Sequence, residues 1–118
     1  MPFYVDGFVV PVPKKKLDTY LKFARKAAKV WREYGALQCV ECVGDDVPVG
    51  KQTSFTRAVE LKKDEVVVFS WITYKSRADR DRVMKRVMAD PRLQMAPEDR
   101  PFDAKRMIFG GFKSRVAL

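Results

Sequence analysis

The ten residues EVVVFSWITY, from Glu65 to Tyr74, constrain the fold more than any other stretch of this chain. They are rich in β-branched and aromatic residues, which are typical of a β-strand. Apolar residues occupy both of the alternating sets of positions, so the strand presents an apolar surface on each face. Such a strand needs cover on both sides and is found in the interior of a sheet. The sequence therefore predicts a sheet with this strand near its centre.

Periodicity and turn residues predict the remaining elements. The i, i+3, i+4 spacing from Leu17 to Tyr34 predicts an amphipathic helix that Gly35 ends. Ser76 and Asp79 predict the start of a second long helix, which Pro91 ends. A short helix is favoured within residues 54–62, although the alternation there also fits a strand. Further strands are predicted at residues 4–12, 36–44 and 105–112.

The order of these elements, β-α-β-β-α-β, predicts an α+β fold of the ferredoxin-like type. Right-handed crossovers place both long helices on one face of a four-stranded antiparallel sheet. The other face is then uncovered, and its apolar residues exceed the patch that a monomer usually exposes. We therefore expect a homodimer that packs sheet to sheet. Residues 1–118 should form a single domain.

The residues that the chain lacks exclude several kinds of chemistry. It contains no histidine, which removes imidazole catalysis and the commonest metal ligand. Cys39 and Cys42 have the Cys-x-x-Cys spacing, but residues three apart in a strand point to opposite faces. We therefore expect no metal site, no disulfide and no cofactor. No apolar run reaches the roughly 18 residues that span a bilayer. The sequence predicts a cytoplasmic protein without a membrane partner.

Five stretches of the chain are similar to stretches of a known protein family: YVDGFVVPVP, YGALQCVECVGDDVP, VVVFSWITYKSRADRD, MADPR and PFDAKRMIFGGF. They resemble the YbaA-like family of small bacterial proteins and cover nearly the whole chain. That family is similar to the dimeric α/β-barrel superfamily, which includes antibiotic-biosynthesis-type monooxygenases, muconolactone isomerases and small stress-response proteins. The resemblance implies a homodimer that binds a small organic molecule, with any reaction proceeding without a cofactor. Arg100 and Ala104 stand where the family pattern has methionine and glycine.

Charged and aromatic residues on the uncovered sheet face are the candidate ligand-binding residues. In the first strand, alternation puts Tyr4 and Asp6 on one face, which we predict to be the cavity side. Glu41 and Arg106 are expected to join Asp6 there, and Trp71 would line the pocket. A desolvated carboxylate at this place could act as a base. The alternative is structural: an ion pair between Asp6 and Arg106, or a dimer contact by Glu41.

Arg80 lies at the inward azimuth of the second long helix. The buried stripe of that helix consists of Val83, Met84, Val87 and Met88. One interpretation pairs Arg80 with a carboxylate such as Asp79 or Asp103. In the other, it holds an anionic group of a ligand at the cavity mouth.

The positive charge of the chain supports a second functional hypothesis. Of the net charge of +9, residues 1–35 contribute +5 and residues 75–92 contribute +4, so the excess lies on the two long helices. This distribution is compatible with a solvated surface. It is also compatible with a non-enzymatic protein that contacts RNA or acidic partners through Lys22, Lys26 and Lys29.

Overall fold

The computed structural model describes residues 2–118 and contains four strands and three α-helices within them. The order along the chain confirms the predicted succession of strands and long helices, with the short helix between the second and third strands. The elements are β1 (Tyr4–Pro13), α1 (Leu17–Tyr34), β2 (Gln38–Val43), α2 (Phe55–Ala58), β3 (Glu65–Tyr74), α3 (Arg77–Ala89) and β4 (Ile108–Lys113).

The four strands form one antiparallel sheet in the order β2-β3-β1-β4. The prediction that β3 is an inner strand is therefore confirmed, as is the α+β ferredoxin-like fold. In the described part of the chain, no helix is long and apolar enough to cross a membrane.

Both long helices pack on one face of the sheet, which we call the helix face. Val30 of α1 and Val83 of α3 pack there against Tyr74 of β3. Near the start of α1, Tyr20 packs against Val68 of β3. The local signals agree with the sequence: Gly35 ends α1 with a φ of 122°, and the Ser76 hydroxyl accepts a hydrogen bond from the Asp79 amide at the start of α3.

The opposite face, which we call the open face, is half covered by the connection between β2 and β3. Val59, directly after α2, is buried against Val9 and Val67. The Arg57 side chain holds the connection together by donating hydrogen bonds to the carbonyls of Val49 and Gly50, at 2.8 and 2.9 Å. The sequence prediction that this whole face lies uncovered is therefore wrong for one half of it. The other half forms an open groove, which is lined at its edge by Pro2, Phe3 and Ser114.

The last strand begins later than predicted, at Ile108 instead of residue 105. Lys105 and Arg106 lie in the turn before it. Gly111 of this strand lies close to a side chain of β1, because a Cβ atom at this position would lie 2.7 Å from Cε2 of Tyr4.

The two cysteines of β2 are free and lie on opposite faces of the sheet, as the strand alternation predicts. Cys39 is on the helix face, and its thiol donates a weak hydrogen bond to the Ala28 carbonyl at 3.9 Å. Cys42 lies on the open face, against Phe55 and Phe69. Across residues 2–118, no group of three or more histidine, cysteine or acidic side chains has the arrangement of a metal site.

Candidate ligand-binding sites

The uncovered half of the open face forms a broad groove of about 1350 Å³, which we call the open-face groove. Its floor is the pleated surface of β1, β3 and β4. Two of its aromatic side chains are exposed, Phe112 at 63% and Phe69 at 42%. Phe69 and Trp71 contact each other with ring centroids 5.6 Å apart. The floor consists of Val5, Gly7, Phe69, Trp71, Thr73 and Phe112.

Positively charged side chains border this groove. Arg32, Lys75 and Lys113 line it, and no acidic residue is among the described residues around it. Low-dielectric walls focus the field of such charges into a cleft. The groove therefore combines an apolar floor with a positive potential at its rim.

A second, smaller pocket of about 130 Å³ lies between α1 and the helix face, and we call it the helix-side pocket. Three alanines of α1, Ala24, Ala27 and Ala28, leave the space that larger side chains would fill. Glu41 of the edge strand β2 is its one charged lining residue in the described chain. The other lining residues are Phe8, Val10, Tyr20, Phe23, Trp31, Cys39, Ser70, Ile72, Phe102 and Met107.

The Glu41 carboxylate is held at the mouth of the helix-side pocket by Tyr20. The Tyr20 hydroxyl donates a hydrogen bond of 2.6 Å to Oε1 of Glu41. Glu41 as a residue is exposed, yet the surrounding apolar side chains desolvate its carboxylate. This burial raises the pKa of Glu41, against the opposing effect of the Tyr20 hydrogen bond. Burial also raises the pKa of the nearby Cys39 thiol to about 11, so the thiol is protonated at neutral pH.

Asp6 lies on the helix face, so its predicted orientation towards the uncovered face is wrong. It is 4% exposed, and its Oδ1 accepts a hydrogen bond of 3.1 Å from Nη1 of Arg80. Burial raises the pKa of Asp6, and the charge of Arg80 opposes this shift. Among the residues described, Oδ2 of Asp6 has no hydrogen-bond partner. The carboxylate is thus part of an interior ion pair below α3.

Arg80 points inward, as its azimuth predicts, and joins Tyr4 to the same ion pair. Its Nη2 donates to the Tyr4 hydroxyl at 3.2 Å, and its Cζ lies 5.0 Å from the Tyr4 ring centroid. Nε of Arg80 is 3.0 Å from Oδ1 of Asp81, within ion-pair distance but without hydrogen-bond geometry. Arg80 therefore has carboxylate partners, as the structural interpretation predicts, although they are Asp6 and Asp81 and not the residues expected.

Arg106 is also paired inside the protein, and its predicted position on a shared strand face is wrong. It lies in the turn before β4 because that strand starts two residues later. Its guanidinium donates to both carboxylate oxygens of Glu65, at 2.8 and 2.6 Å, and to Asp103 at 2.8 Å. These bonds lower the pKa of Glu65 and of Asp103. Neither convergence with Asp6 nor the alternative ion pair between Asp6 and Arg106 occurs.

The predicted site residues are thus divided between places that do not meet. Trp71 lies in the open-face groove and Glu41 in the helix-side pocket. Tyr4, Asp6 and Arg80 form one interior cluster, and Arg106 belongs to another. Sequence reasoning missed the partnership of Tyr20 with Glu41. Its only signal was a tyrosine on the buried stripe of α1, because the contact depends on how α1 crosses the sheet.

The basic residues of the alternative hypothesis lie on the outer surface of α1. Lys22, Lys26 and Lys29 are all exposed there, and none of them lines the open-face groove or the helix-side pocket.

Solved structures share this architecture at low sequence identity. A dimeric ferredoxin-like protein from an uncultured marine organism has a TM-score of 0.58 at 12% identity, over 100% of this chain and 98% of its own. An uncharacterized NIPSNAP domain protein from Burkholderia xenovorans has a TM-score of 0.55 at 17% identity, over 97% of this chain and 94% of its own. Likeness at this identity establishes the class of fold, which is ferredoxin-like.

The sequence comparisons identify the family within that class. Residues 3–104 match the model of a family described as a protein of unknown function (DUF1428), and the chain belongs to that family. The protein named YbaA in Escherichia coli (strain K12) is 53% identical over 113 residues, which are 96% of this chain and 97% of the relative. A relative of the same name in Shigella flexneri has the same identity and coverage. The predicted membership in the YbaA-like family is confirmed.

Proposed function

We propose that this protein is a homodimer that binds a small organic molecule between the open faces of its two sheets. The observation that carries the proposal is the open-face groove, an apolar and aromatic surface that the connection between β2 and β3 leaves uncovered. A second copy of the chain would remove this surface from water, which monomeric proteins rarely leave exposed. The similarity to a protein described as dimeric supports the dimer itself.

The charge of the rim indicates the class of molecule. An apolar floor suits an aromatic or aliphatic body, and Arg32, Lys75 and Lys113 suit a negatively charged group at its edge. The ligand would therefore be a small organic anion. Asp6, Glu41 and Arg106, which were predicted as polar site residues, lie outside the groove. We accordingly propose binding and assign no reaction to the groove.

The dimer is tested with two phenylalanines of the same strand. Phe112 lines the open-face groove, whereas Phe109 pairs with Phe8 and lies on the helix face, where it is 71% exposed. Multi-angle light scattering should give twice the chain mass of 13.6 kDa for the unmodified protein and for Phe109→Glu. Phe112→Glu should give the monomer mass, because it places a charge in the apolar interface. A monomeric unmodified protein, or a dimer that survives Phe112→Glu, would refute this arrangement.

Binding is tested by the fluorescence of Trp71. The chain has two tryptophans, so Trp31→Phe leaves Trp71 as the sole reporter. Saturable quenching is expected with 1-naphthoate and not with the matched cation 1-naphthylmethylamine. Lys113→Gln should weaken naphthoate binding several-fold, whereas Lys26→Gln, on the outer face of α1, should leave it unchanged. Equal affinity for the anion and the cation would contradict the proposed ligand class.

The alternative proposal is an interaction protein whose basic outer face on α1 contacts RNA or acidic partners. Its support is the exposure of Lys22, Lys26 and Lys29. Retardation of RNA that weakens steeply with salt, and that is lost when these three lysines are replaced by glutamine, would favour it. Retention of RNA binding in the triple variant would exclude this face.

A further inference from the structure

Glu41 differs from the buried carboxylates of the protein in its partner. Asp6, Glu65 and Asp90 are each ion-paired with an arginine, at 3.1, 2.6 and 2.9 Å respectively. Glu41 is hydrogen-bonded to a neutral phenol, Tyr20, and no lysine or arginine of residues 2–118 lies within ion-pair distance of it. Its carboxylate is desolvated without a compensating positive charge.

The pocket that Glu41 lines is also rich in aromatic rings. Tyr20 and Phe102 meet edge to face with their centroids 6.0 Å apart. The faces of aromatic rings attract cations, and cages of such rings recognise organic ammonium groups. No lysine or arginine is among the described lining residues, although the chain carries a net charge of +9. The aromatic lining residues are Phe8, Tyr20, Phe23, Trp31 and Phe102.

We propose that the helix-side pocket is a binding site for a small organic ammonium ion. The ammonium group would supply the missing positive charge at Glu41, where Tyr20 occupies Oε1 and Oε2 remains available. The hydroxyl of Ser70, which faces Glu41 across the β2–β3 pairing, lines the same pocket as a further acceptor. The apolar body would lie against the three alanines of α1.

The volume of the pocket limits the size of this ion. A cavity of about 150 Å³ holds one benzene molecule in a protein interior, and the helix-side pocket measures about 130 Å³. The enclosed space therefore holds no more than a single ring or a short alkyl chain, and the amine that it carries would lie at the mouth of the pocket, beside Glu41. This site is separate from the open-face groove, and neither proposal depends on the other.

The test uses three probes of one shape and different charge: benzylamine, benzyl alcohol and benzoate. In heteronuclear NMR titrations, benzylamine should shift the amides around Glu41 and Ala28 in a saturable way. Benzyl alcohol should bind at least 10-fold more weakly, and benzoate should not bind at this site. Benzylamine affinity should fall on acidification, as Glu41 becomes protonated. No saturable shift with benzylamine, or an equal affinity for benzoate, would overturn the proposal.

Variants test the charge of Glu41 and the volume of the helix-side pocket separately. Glu41→Gln should weaken benzylamine binding at least 10-fold, whereas Asp46→Asn, at an exposed carboxylate after β2, should not change it. Ala28→Leu keeps the carboxylate but fills the pocket, and it should also abolish binding. Trp71→Leu, in the open-face groove, should leave benzylamine binding intact. Unchanged binding in folded Glu41→Gln or Ala28→Leu protein would refute this site.

Discussion

Tyr4 packs its ring on the backbone of Gly111, and this contact makes Gly111 sensitive to substitution. A Cβ atom at position 111 would meet the hydroxyl of Tyr4 and would lie 2.7 and 2.8 Å from Cε2 and Cζ of the ring. The ring cannot move away freely because its hydroxyl is bonded to Arg80. We expect Gly111→Ala to lower the free energy of unfolding by about 1–3 kcal/mol, as overpacking does.

Gly110 provides the control for this prediction. A Cβ atom there would be 3.6 Å from Phe112, an ordinary van der Waals distance. Gly110→Ala should change the free energy of unfolding by less than about 0.5 kcal/mol in urea titrations. Equal destabilisation by both variants would contradict the special role of the Tyr4 contact at position 111.

The ion pair between Asp6 and Arg80 predicts a pH-dependent variant. Arg80→Met leaves the Asp6 carboxylate buried without its cation, which should cost about 3 kcal/mol at pH 7. The folded-state pKa of Asp6 is already above its ordinary value, and removing Arg80 raises it further. A group with a raised pKa binds its proton more tightly in the folded state. The variant should therefore regain stability as the pH falls through that raised pKa.

A double variant completes this test. Asp6→Asn removes the uncompensated charge, so Asp6→Asn/Arg80→Met should be more stable at pH 7 than Arg80→Met alone. Chemical unfolding of the four proteins from pH 5 to pH 8 measures the coupling. A pH-independent loss in Arg80→Met would mean that the packing of the arginine stem, not its charge, is what matters.

The position of Asp6 shows which part of a site the sequence cannot predict. Alternation correctly puts Tyr4 and Asp6 on one face of β1, because successive side chains point to opposite sides. Which face the helices cover is not contained in that alternation. The sequence favours the cavity side for this carboxylate, because an acid beneath a helix needs a partner, and the partner, Arg80, lies 74 residues away in the chain. Only the packing of α3 brings the two together.

At the scale of elements, the connection between β2 and β3 decides how much of the open face is available. Phe55 of α2 meets Phe69 of β3 with ring centroids 5.7 Å apart. The sequence favours a short helix at this place, because the apolar spacing is a local signal. It does not predict that the helix lies on the open face. That placement rests on contacts between Val59 and residues of two different strands.

Val59 anchors this connection, and its truncation tests the anchor. The side chain is 1% exposed, so Val59→Ala should lower the free energy of unfolding by about 2 kcal/mol through lost burial and the cavity left behind. Val49→Ala, at a position 58% exposed in the same connection, should have little effect. Hydrogen exchange should show faster opening of α2 in Val59→Ala. Similar stability of the two variants would argue that the connection is not anchored at Val59.

At the scale of the whole molecule, arginine-bound carboxylates predict the response to acid. Hydrogen bonds from Arg92 lower the pKa of Asp90 and of Glu33, and those from Arg106 lower the pKa of Glu65. Carboxylates with a lowered pKa stabilise the fold at pH values above their ordinary pKa. This contribution is lost as the pH falls through the lowered pKa. The pKa values of Asp6 and Glu41 are raised, so these two groups lower the stability of the fold when they are ionised.

The free energy of unfolding should therefore reach its maximum at mildly acidic pH. Protonation of Asp6 and Glu41 relieves their desolvation first, and below the ordinary carboxylate range, near pH 4, the arginine-bound groups lose their contribution. Urea unfolding from pH 8 to pH 3 measures the profile. Arg92→Met should flatten its acidic limb, since Asp90 and Glu33 lose their common partner. A stability that continues to rise down to pH 3 would contradict this account.

The overall topology could be predicted from the sequence because each of its signals is local. The inner position of β3, the bounds of α1 and the N-cap Ser76 of α3 follow from patterns within a few residues. The start of β4 could not be predicted in this way. Lys105 and Arg106 alternate with apolar residues as a strand would, but Arg106 is drawn into the turn by Glu65, which lies 41 residues earlier.

The contact between Tyr4 and Gly111 also limits how sequences of this family can diverge. A larger residue at position 111 is compatible with the fold only where the residue at position 4 is smaller than tyrosine. That exchange would in turn leave Arg80 without the phenol that it bonds. The residues at positions 4, 80 and 111 should therefore change together among family members, and an alignment of the family should show this correlation.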